Sequence, residues 1–332
     1  MKFPFSIARL TRAGAAVMAL AACSAGAHAG SPRESFCGNV DYNAMILDII
    51  KGMPVGGGYS LNSRTLELPT VTAHNIGRGQ WQMRVYDGTP SHCTSATYTV
   101  FLHLVAELQN SGAIRLTQRQ LQSLVADNKL PDGSSRVDGE GPFAIFNSNG
   151  AGAAALLMHT GTGFSFRDDK LGYARPGDLL KIFWNEGVGS NEQGHQVIYM
   201  GKRQVAGRDM VCFWSSQRQR KKKRDGRHEA LYFAASDDGK VQDGYGKVCR
   251  PRSDIKEMVF SRITCMKHLP AGLAEMARLS GEDAGTADQF VDQYLRKLRT
   301  TSSDHITLNR MYDIVAAPSP ATFADSGIAP SR

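Results

Sequence analysis

The spacing of apolar residues predicts helices in the first half of the chain and strands in the second. Residues 41–53 place four apolar side chains on one helical face, those of Met45, Ile46, Ile49 and Ile50. A second helix is predicted from Cys93 to about Asn110, and it ends before Gly112. Its apolar face is broad enough to pack on a sheet and comprises Tyr98, Phe101, Leu102, Val105 and Leu108.

The segments around these helices differ in their glycine and proline content. Residues 54–92 contain Gly56-Gly57-Gly58 and several prolines, so they are predicted to be loop. Two further helices are predicted, one over 117–128 behind a threonine cap and one over 142–159, where an alanine-rich apolar run is broken by glycine. Together with the helix that starts at Cys93, they indicate a helical region.

Four apolar segments in the second half have the length and composition of strands. They span 179–184, 194–201, 209–217 and 255–263, and loops of hairpin length join the first three. Helices followed by strands favour an α+β fold over an alternating α/β fold. We therefore expect a central helix bearing Cys93, packed on an antiparallel sheet of at least four strands, with an inserted helical region at about 112–175.

The first thirty residues have the features of an export signal. Three cations precede an apolar run over 13–22 that is too short to span a bilayer. We expect cleavage after Ala29, behind the small residues Ala27 and Ala29; the alternative is a lipobox at 20–23, which would attach a lipid anchor to Cys23. No transmembrane segment is predicted, and the mature chain is expected to be exported, either periplasmic or secreted.

Export changes the meaning of the cysteines, because an oxidising compartment favours disulfides. Cleavage after Ala29 leaves five, an odd number, and we expect Cys93 to be the free one. The others would form up to two disulfides, with Cys249–Cys265 as the first choice, and they are Cys37, Cys212, Cys249 and Cys265. The spacing of cysteines and histidines matches no zinc motif, so neither a metal nor another cofactor is expected.

A free cysteine at a helix start and a histidine at a strand start suggest nucleophilic catalysis. The helix N-terminus and an imidazolium both stabilise a thiolate, so Cys93 is the candidate nucleophile and His195 the candidate base. A third polar group normally orients the imidazole, and Gln217, then Ser215, are the candidates at the end of the next strand.

Plainer interpretations of the same residues stay open. Cys93 and His195 are also compatible with a core thiol and a structural histidine, and His92 is a rival base next to the cysteine. Asp178 is expected to cap a turn rather than take part in chemistry.

The order of these segments resembles the papain-like NlpC/P60 superfamily of cysteine peptidases, including its CHAP and amidase-effector relatives. The match covers about 85–265 and rests on Gly177-Asp178-Leu179-Leu180 followed by Gly194-His195-Gln196-Val197-Ile198-Tyr199. The segment Trp214-Ser215-Ser216-Gln217 is similar to the amidase-effector branch, although His92 precedes the cysteine where the family commonly has aspartate. The resemblance implies cleavage of peptide bonds in bacterial peptidoglycan stem peptides, with Cys93 as nucleophile and His195 as general base. It also implies Tyr86 as the candidate second oxyanion donor, since the superfamily often uses a side chain from the segment before the cysteine; the alternative is a core tyrosine.

The net charge points to acidic partners. It is +8 for the whole chain and +5 without the leader cations Lys2, Arg9 and Arg12. The excess lies in a basic segment over 218–227, which in an exported chain argues against nucleic acid. The alternatives are a solvated loop or contact with anionic wall polymers and carboxylate-rich peptides. The expected substrate-binding residues are Arg218, Arg220 and Lys221.

These patterns divide the chain into five segments. They are a signal peptide (1–29), an N-terminal helix and loop (30–84), a cysteine-hydrolase domain (85–265), C-terminal helices (266–299) and a flexible tail (300–332). The predicted function is that of an exported cysteine amidase or endopeptidase. Two alternatives stay open: a noncatalytic wall- or partner-binding module on the same fold, and a cysteine protease or transferase acting on another exported substrate. The sequence identifies no immunity protein as a partner.

Overall fold

Six helices, the longest of them Cys93–Asn110, form one layer of the part of the chain that the structure describes. The computed structural model describes residues 40–62, 65–126, 141–187, 192–218, 231–233 and 243–279. The helices are α1 (Tyr42–Gly52), α2 (Cys93–Asn110), α3 (Gln118–Ser123), α4 (Gly141–Asn147), α5 (Ala153–Thr160) and α6 (Leu269–Leu279), with 3₁₀ turns at Arg252–Asp254 and Met266–His268. The predicted helix over 142–159 is therefore two helices, α4 and α5, and the one over 117–128 is shortened to α3.

A sheet of eight strands forms the second layer. Ten strands are described, and the second and third along the chain lie outside this sheet. The strands are β1 (Gly56–Gly57), β2 (Thr70–Gly77), β3 (Gln80–Tyr86), β4 (Gly163–Phe166), β5 (Leu179–Phe183), β6 (Gly194–Val205), β7 (Arg208–Gln217), β8 (Leu231–Phe233), β9 (Gly244–Pro251) and β10 (Glu257–Ile263). The sheet order is β1-β9-β7-β6-β5-β10-β4, with β8 paired to β9, while β2 and β3 form a separate hairpin. The predicted α+β class with an antiparallel sheet is confirmed, because the pairings between the described strands are antiparallel.

Both faces of the central strands are apolar. Alternate residues such as Ile198 and Trp214 pack on the helices, while Val197 and Phe213 belong to a second cluster on the opposite face. All five residues of β5 are buried. Burial on both faces explains why these strands are continuous apolar runs in the sequence rather than alternating ones.

The helix α2 lies at the centre of the fold. Fourteen of its eighteen residues are buried, so it is enclosed rather than amphipathic. Strands β6 and β7 pack on one side of it, and the β2–β3 hairpin covers another. Asn110 fastens this hairpin, since its side chain accepts from the Met83 N–H at 2.8 Å and donates to the Met83 carbonyl at 2.9 Å.

The prediction that residues 54–92 are loop is wrong for part of this range, because residues 70–86 form the β2–β3 hairpin. Most residues of β2 are exposed, so the strand carries little of the apolar signal from which strands are predicted. The turn between the strands uses left-handed backbone at Gly77, Arg78 and Gly79.

The predicted disulfide between Cys249 and Cys265 is wrong. Cys249 is bonded to Cys212, directly opposite in the β7–β9 register. Cys265 belongs to a different disulfide. The physical reason is the strand order, because β7, β6 and β5 separate β9 from β10, which precedes Cys265. Within the described segments Cys93 is the free cysteine, as expected.

A buried ion pair links β10 to the turn before β5, and Asn43 connects α1 to the same carboxylate. Arg262 on β10 donates to both carboxylate oxygens of Asp178, each at 2.8 Å, and the two side chains are 1% and 0% exposed. Asp178 also accepts from the Asn43 amide at 2.8 Å and from the Arg175 N–H at 2.7 Å. The turn-capping role expected for Asp178 is therefore present, within a larger buried network.

Several expectations fall on residues outside the described ranges. They concern the signal peptide, the lipobox at Cys23, the cysteine Cys37, the basic residues Arg220 and Lys221, the part of the predicted C-terminal helices beyond residue 279 and the tail over 300–332. Among the described helices, none combines the length and apolarity that crossing a membrane requires.

Candidate active site

The site is built on the first turn of α2, where His92 caps the helix and Cys93 is its first residue. The Nδ1 atom of His92 accepts the Ser95 N–H at 2.8 Å, and Ser95 Oγ accepts the His92 N–H at 2.9 Å. This reciprocal capping box fixes the direction in which the chain enters the helix. It also holds the thiol at the helix start, where backbone N–H groups lack intrahelical acceptors.

The same cap limits what His92 can do chemically. Burial lowers the pKa of His92, although the nearby Cys93 and a backbone hydrogen bond partly oppose this effect. A neutral ring whose Nδ1 lone pair accepts from the helix backbone has no lone pair there for a substrate proton. The rival base of the sequence analysis is thus engaged as a helix cap.

Strands β6 and β7 separate at the point where they reach Cys93. Their pairing runs from Val205 back to Ile198, opposite Trp214, and stops there. Beyond it, the N–H of Gln196 donates to the sulfur of Cys93. The hydroxyl of Ser215 donates to the carbonyls of Gln196, at 3.1 Å, and of Cys93, at 3.2 Å. The opened ladder therefore supplies backbone groups that bind the thiol and its helix.

His195 lies beside the thiol and forms a side-chain hydrogen bond with it. Two aromatic rings flank the imidazole: the Phe213 ring is edge-on at 5.7 Å between centroids, and the Trp184 ring is tilted at 6.3 Å. The structure therefore brings together the two residues that the sequence analysis paired across about a hundred positions.

The surroundings of Cys93 favour its thiolate. Burial alone raises the pKa of this thiol, but the charge of His195 and its hydrogen bond outweigh that effect, with smaller contributions from His92 and the Gln196 N–H. The result is a pKa lowered from 9.0 to about 5. At neutral pH the Cys93 side chain is then a thiolate beside the His195 ring. The thiolate is the state in which a cysteine attacks a carbonyl carbon.

Tyr59 is the site residue that sequence reasoning missed. Its backbone forms a bridge with that of Ser91, two residues before the cysteine. Burial raises the pKa of the Tyr59 phenol, and the charge on Cys93 raises it further, against an opposing effect of Arg218. The phenol is therefore protonated at neutral pH and can donate a hydrogen bond beside the thiol.

The run Gly56-Gly57-Gly58 is the feature of the sequence from which the unusual position of Tyr59 could be predicted. All three glycines have positive φ, between 75° and 86°. A Cβ on Gly57 would lie 2.6 Å from Cγ2 of Thr89, so only glycine allows this approach. The run therefore delivers the next residue, Tyr59, to the segment that leads into α2.

The structure also describes three other predicted site residues, Tyr86, Gln217 and Ser215. Tyr86 ends β3 with 51% of its surface exposed, and among the described tyrosines it is Tyr59 that interacts with Cys93. Gln217 donates to the Gly246 carbonyl at 3.1 Å on the neighbouring strand β9. Gln217 and Ser215 thus donate to backbone carbonyls, and a role for either in orienting the His195 imidazole stays a prediction.

The residue after β7, Arg218, is exposed at the rim of the site. Its guanidinium carbon lies 5.7 Å from the centre of the Tyr59 ring. Within the described residues, no three metal-binding side chains lie close enough together to hold a metal ion.

The cap residue offers a test of the thiol environment. His92→Asp retains a good N-cap but places a carboxylate beside the thiolate, whereas His92→Asn retains the cap without charge. We expect the pH of half-maximal alkylation of Cys93, about 5 in the unchanged protein, to rise by about one pH unit more in His92→Asp than in His92→Asn. Iodoacetamide alkylation followed by mass spectrometry measures it; equal midpoints in the two variants would contradict the electrostatic account.

Comparisons with known proteins assign the chain to no family. No protein-family model matches the chain, and searches of curated proteins and of solved structures find no match.

Proposed function

We propose that this chain is an exported cysteine hydrolase that cleaves peptide bonds in peptidoglycan stem peptides. One observation carries the proposal: the free cysteine of the described chain begins a buried helix, and a histidine from a separate strand is hydrogen-bonded to its thiol and helps lower the pKa to about 5. A core thiol, by contrast, gains nothing from being ionised, because burial raises its pKa.

The proposed reaction uses the described groups in two steps. The thiolate of Cys93 attacks the amide carbonyl carbon, forming a C–S bond, and the protonated His195 gives its proton to the leaving amine as the C–N bond breaks. Neutral His195 then takes a proton from water, the resulting hydroxide attacks the thioester, and the Cys93 thiolate leaves as the carboxylic acid forms. The N–H of Cys93 and the hydroxyl of Tyr59 are suitably placed to bind the oxyanion.

The cell-wall substrate and the papain-like NlpC/P60 fold are parts of this proposal. Their support is the order of the Cys93 helix, the Gly177-Asp178 strand and the Gly194-His195 strand, which resembles that superfamily, together with a central helix packed on an antiparallel sheet. Export is supported by the Cys212–Cys249 disulfide, because such bonds persist in oxidising compartments.

Digestion of purified peptidoglycan tests the proposal. The mature protein is incubated with peptidoglycan and with defined stem peptides, and new amino termini are labelled and identified by mass spectrometry. Cleavage of an amide bond in the stem peptides is the expected result. Binding to the wall without release of amino termini would favour a noncatalytic module, and cleavage of other exported proteins alone would favour the alternative protease.

A further inference from the structure

The rim of the candidate site carries a cation that has no acidic partner in the described part of the chain. Arg218 follows the last residue of β7, is exposed to solvent, and lies over the Tyr59 ring at 5.7 Å. Lys181 on β5, by contrast, is paired with Glu192 at 2.7 Å. The Arg218 guanidinium therefore has donors to offer to a ligand.

Arg218 is linked to the reacting thiol through Tyr59, which interacts with both residues. Tyr59 connects the two, because its ring faces Arg218 and its backbone is bridged to Ser91, two residues from Cys93. Within the site, the charge of His195 acts on the Cys93 thiolate and offsets it. The Arg218 guanidinium is then the cation at the rim that can attract an anionic ligand.

We infer that Arg218 is a specificity residue that binds a carboxylate of the substrate, on a residue adjacent to the scissile amide. The inference rests on the proposed function for the scissile bond, but carboxylate binding beside Cys93 does not depend on it. A planar guanidinium offers two parallel N–H donors that match the two oxygens of a carboxylate. Within the described residues the guanidinium contacts the Tyr59 ring rather than an acidic side chain, so its N–H donors are available for that contact.

Alkylation of Cys93 by two small probes tests the inference without any peptide. Iodoacetate carries a carboxylate next to the reacting carbon, and iodoacetamide carries a neutral amide in the same place. We expect the ratio of their rates to fall about threefold or more in Arg218→Gln, because the guanidinium no longer attracts the anionic probe. The matched control is Arg208→Gln, which removes the same charge at the exposed opposite end of β7 and should leave the ratio unchanged.

Stem peptides with free or amidated D-glutamate and diaminopimelate carboxylates provide the second measurement. Arg218→Gln should lower kcat/KM about 10- to 100-fold on the acidic peptide and leave the amidated peptide within about twofold. Equal effects on both peptides, or an unchanged alkylation ratio, would overturn the inference while leaving hydrolysis intact. If the unchanged protein cleaves neither peptide, the proposed function fails, and the alkylation ratio still decides whether Arg218 binds a carboxylate.

Discussion

Cys93→Ala is expected to slow the release of amino termini from stem peptides by about 10³-fold or more, because no other described group is placed to form the acyl-enzyme. Cys93→Ser should be similarly inactive, since a hydroxyl in this position lacks the low pKa of the thiol. The substitution to alanine leaves the His92 capping box intact, so α2 should keep its start. Initial rates on a defined stem peptide, measured at equal concentrations of folded protein, quantify the loss.

His195→Ala distinguishes a catalytic pair from two separate residues. Alone, it should lower kcat about 10²- to 10⁴-fold, because the base is lost and the thiol pKa rises. The double variant should be no slower than Cys93→Ala, since groups that act as a unit give non-additive losses. His74→Ala, on the β2–β3 hairpin, is the matched control and should retain full activity. Losses that simply add in the double variant would argue against a shared step.

Arg262→Met is expected to lower the free energy of unfolding by about 3 to 5 kcal/mol, because it leaves the Asp178 carboxylate buried without its cation. Both side chains are almost fully buried, and the pair is bidentate. Arg262 also lies over the Phe166 and Tyr173 rings, at 5.2 Å and 4.7 Å, so packing is lost as well. Urea unfolding monitored by circular dichroism measures the difference.

The exposed pair between Arg278 and Glu275 supplies the control for this stability prediction. Arg278→Met also breaks an ion pair, at 2.7 Å, but in solvent, and it should leave the free energy of unfolding nearly unchanged. Combining Arg262→Met with Asp178→Asn should cost less than the sum of the single changes, because the buried charge disappears with its partner. Equal costs for Arg262→Met and Arg278→Met would contradict the buried network.

Much of the fold could be predicted because its central elements are strongly patterned. The extent of α2 follows from a long apolar run and a glycine beyond its end, and β5 and β6 are apolar runs of strand length. Strand β9 was missed because its two glycines, Gly244 and Gly246, lower strand propensity. Its disulfide depends on which strands are neighbours in the sheet, which local pattern does not encode.

The site could be predicted only where single residues carry its chemistry. Cys93 and His195 stand at the starts of well-patterned elements, so their meeting followed from the expected packing. Tyr59 reaches the site through left-handed glycines, a long-range approach with no periodic signal. The positions of Gln217 and Ser215 depend on where β6 and β7 separate, and this is set by the insertion of α2 rather than by the strands themselves.

The central claim is that Cys93 becomes acylated during amide cleavage. The most direct test mixes the mature protein with a defined stem peptide, quenches the mixture in acid within milliseconds to seconds, and maps modified residues by mass spectrometry. The account predicts a thioester on Cys93 with the mass of the acyl half of the peptide, absent in Cys93→Ala and removed by hydroxylamine. Cleavage at an undiminished rate in Cys93→Ala, with no adduct in the unchanged protein, would contradict it.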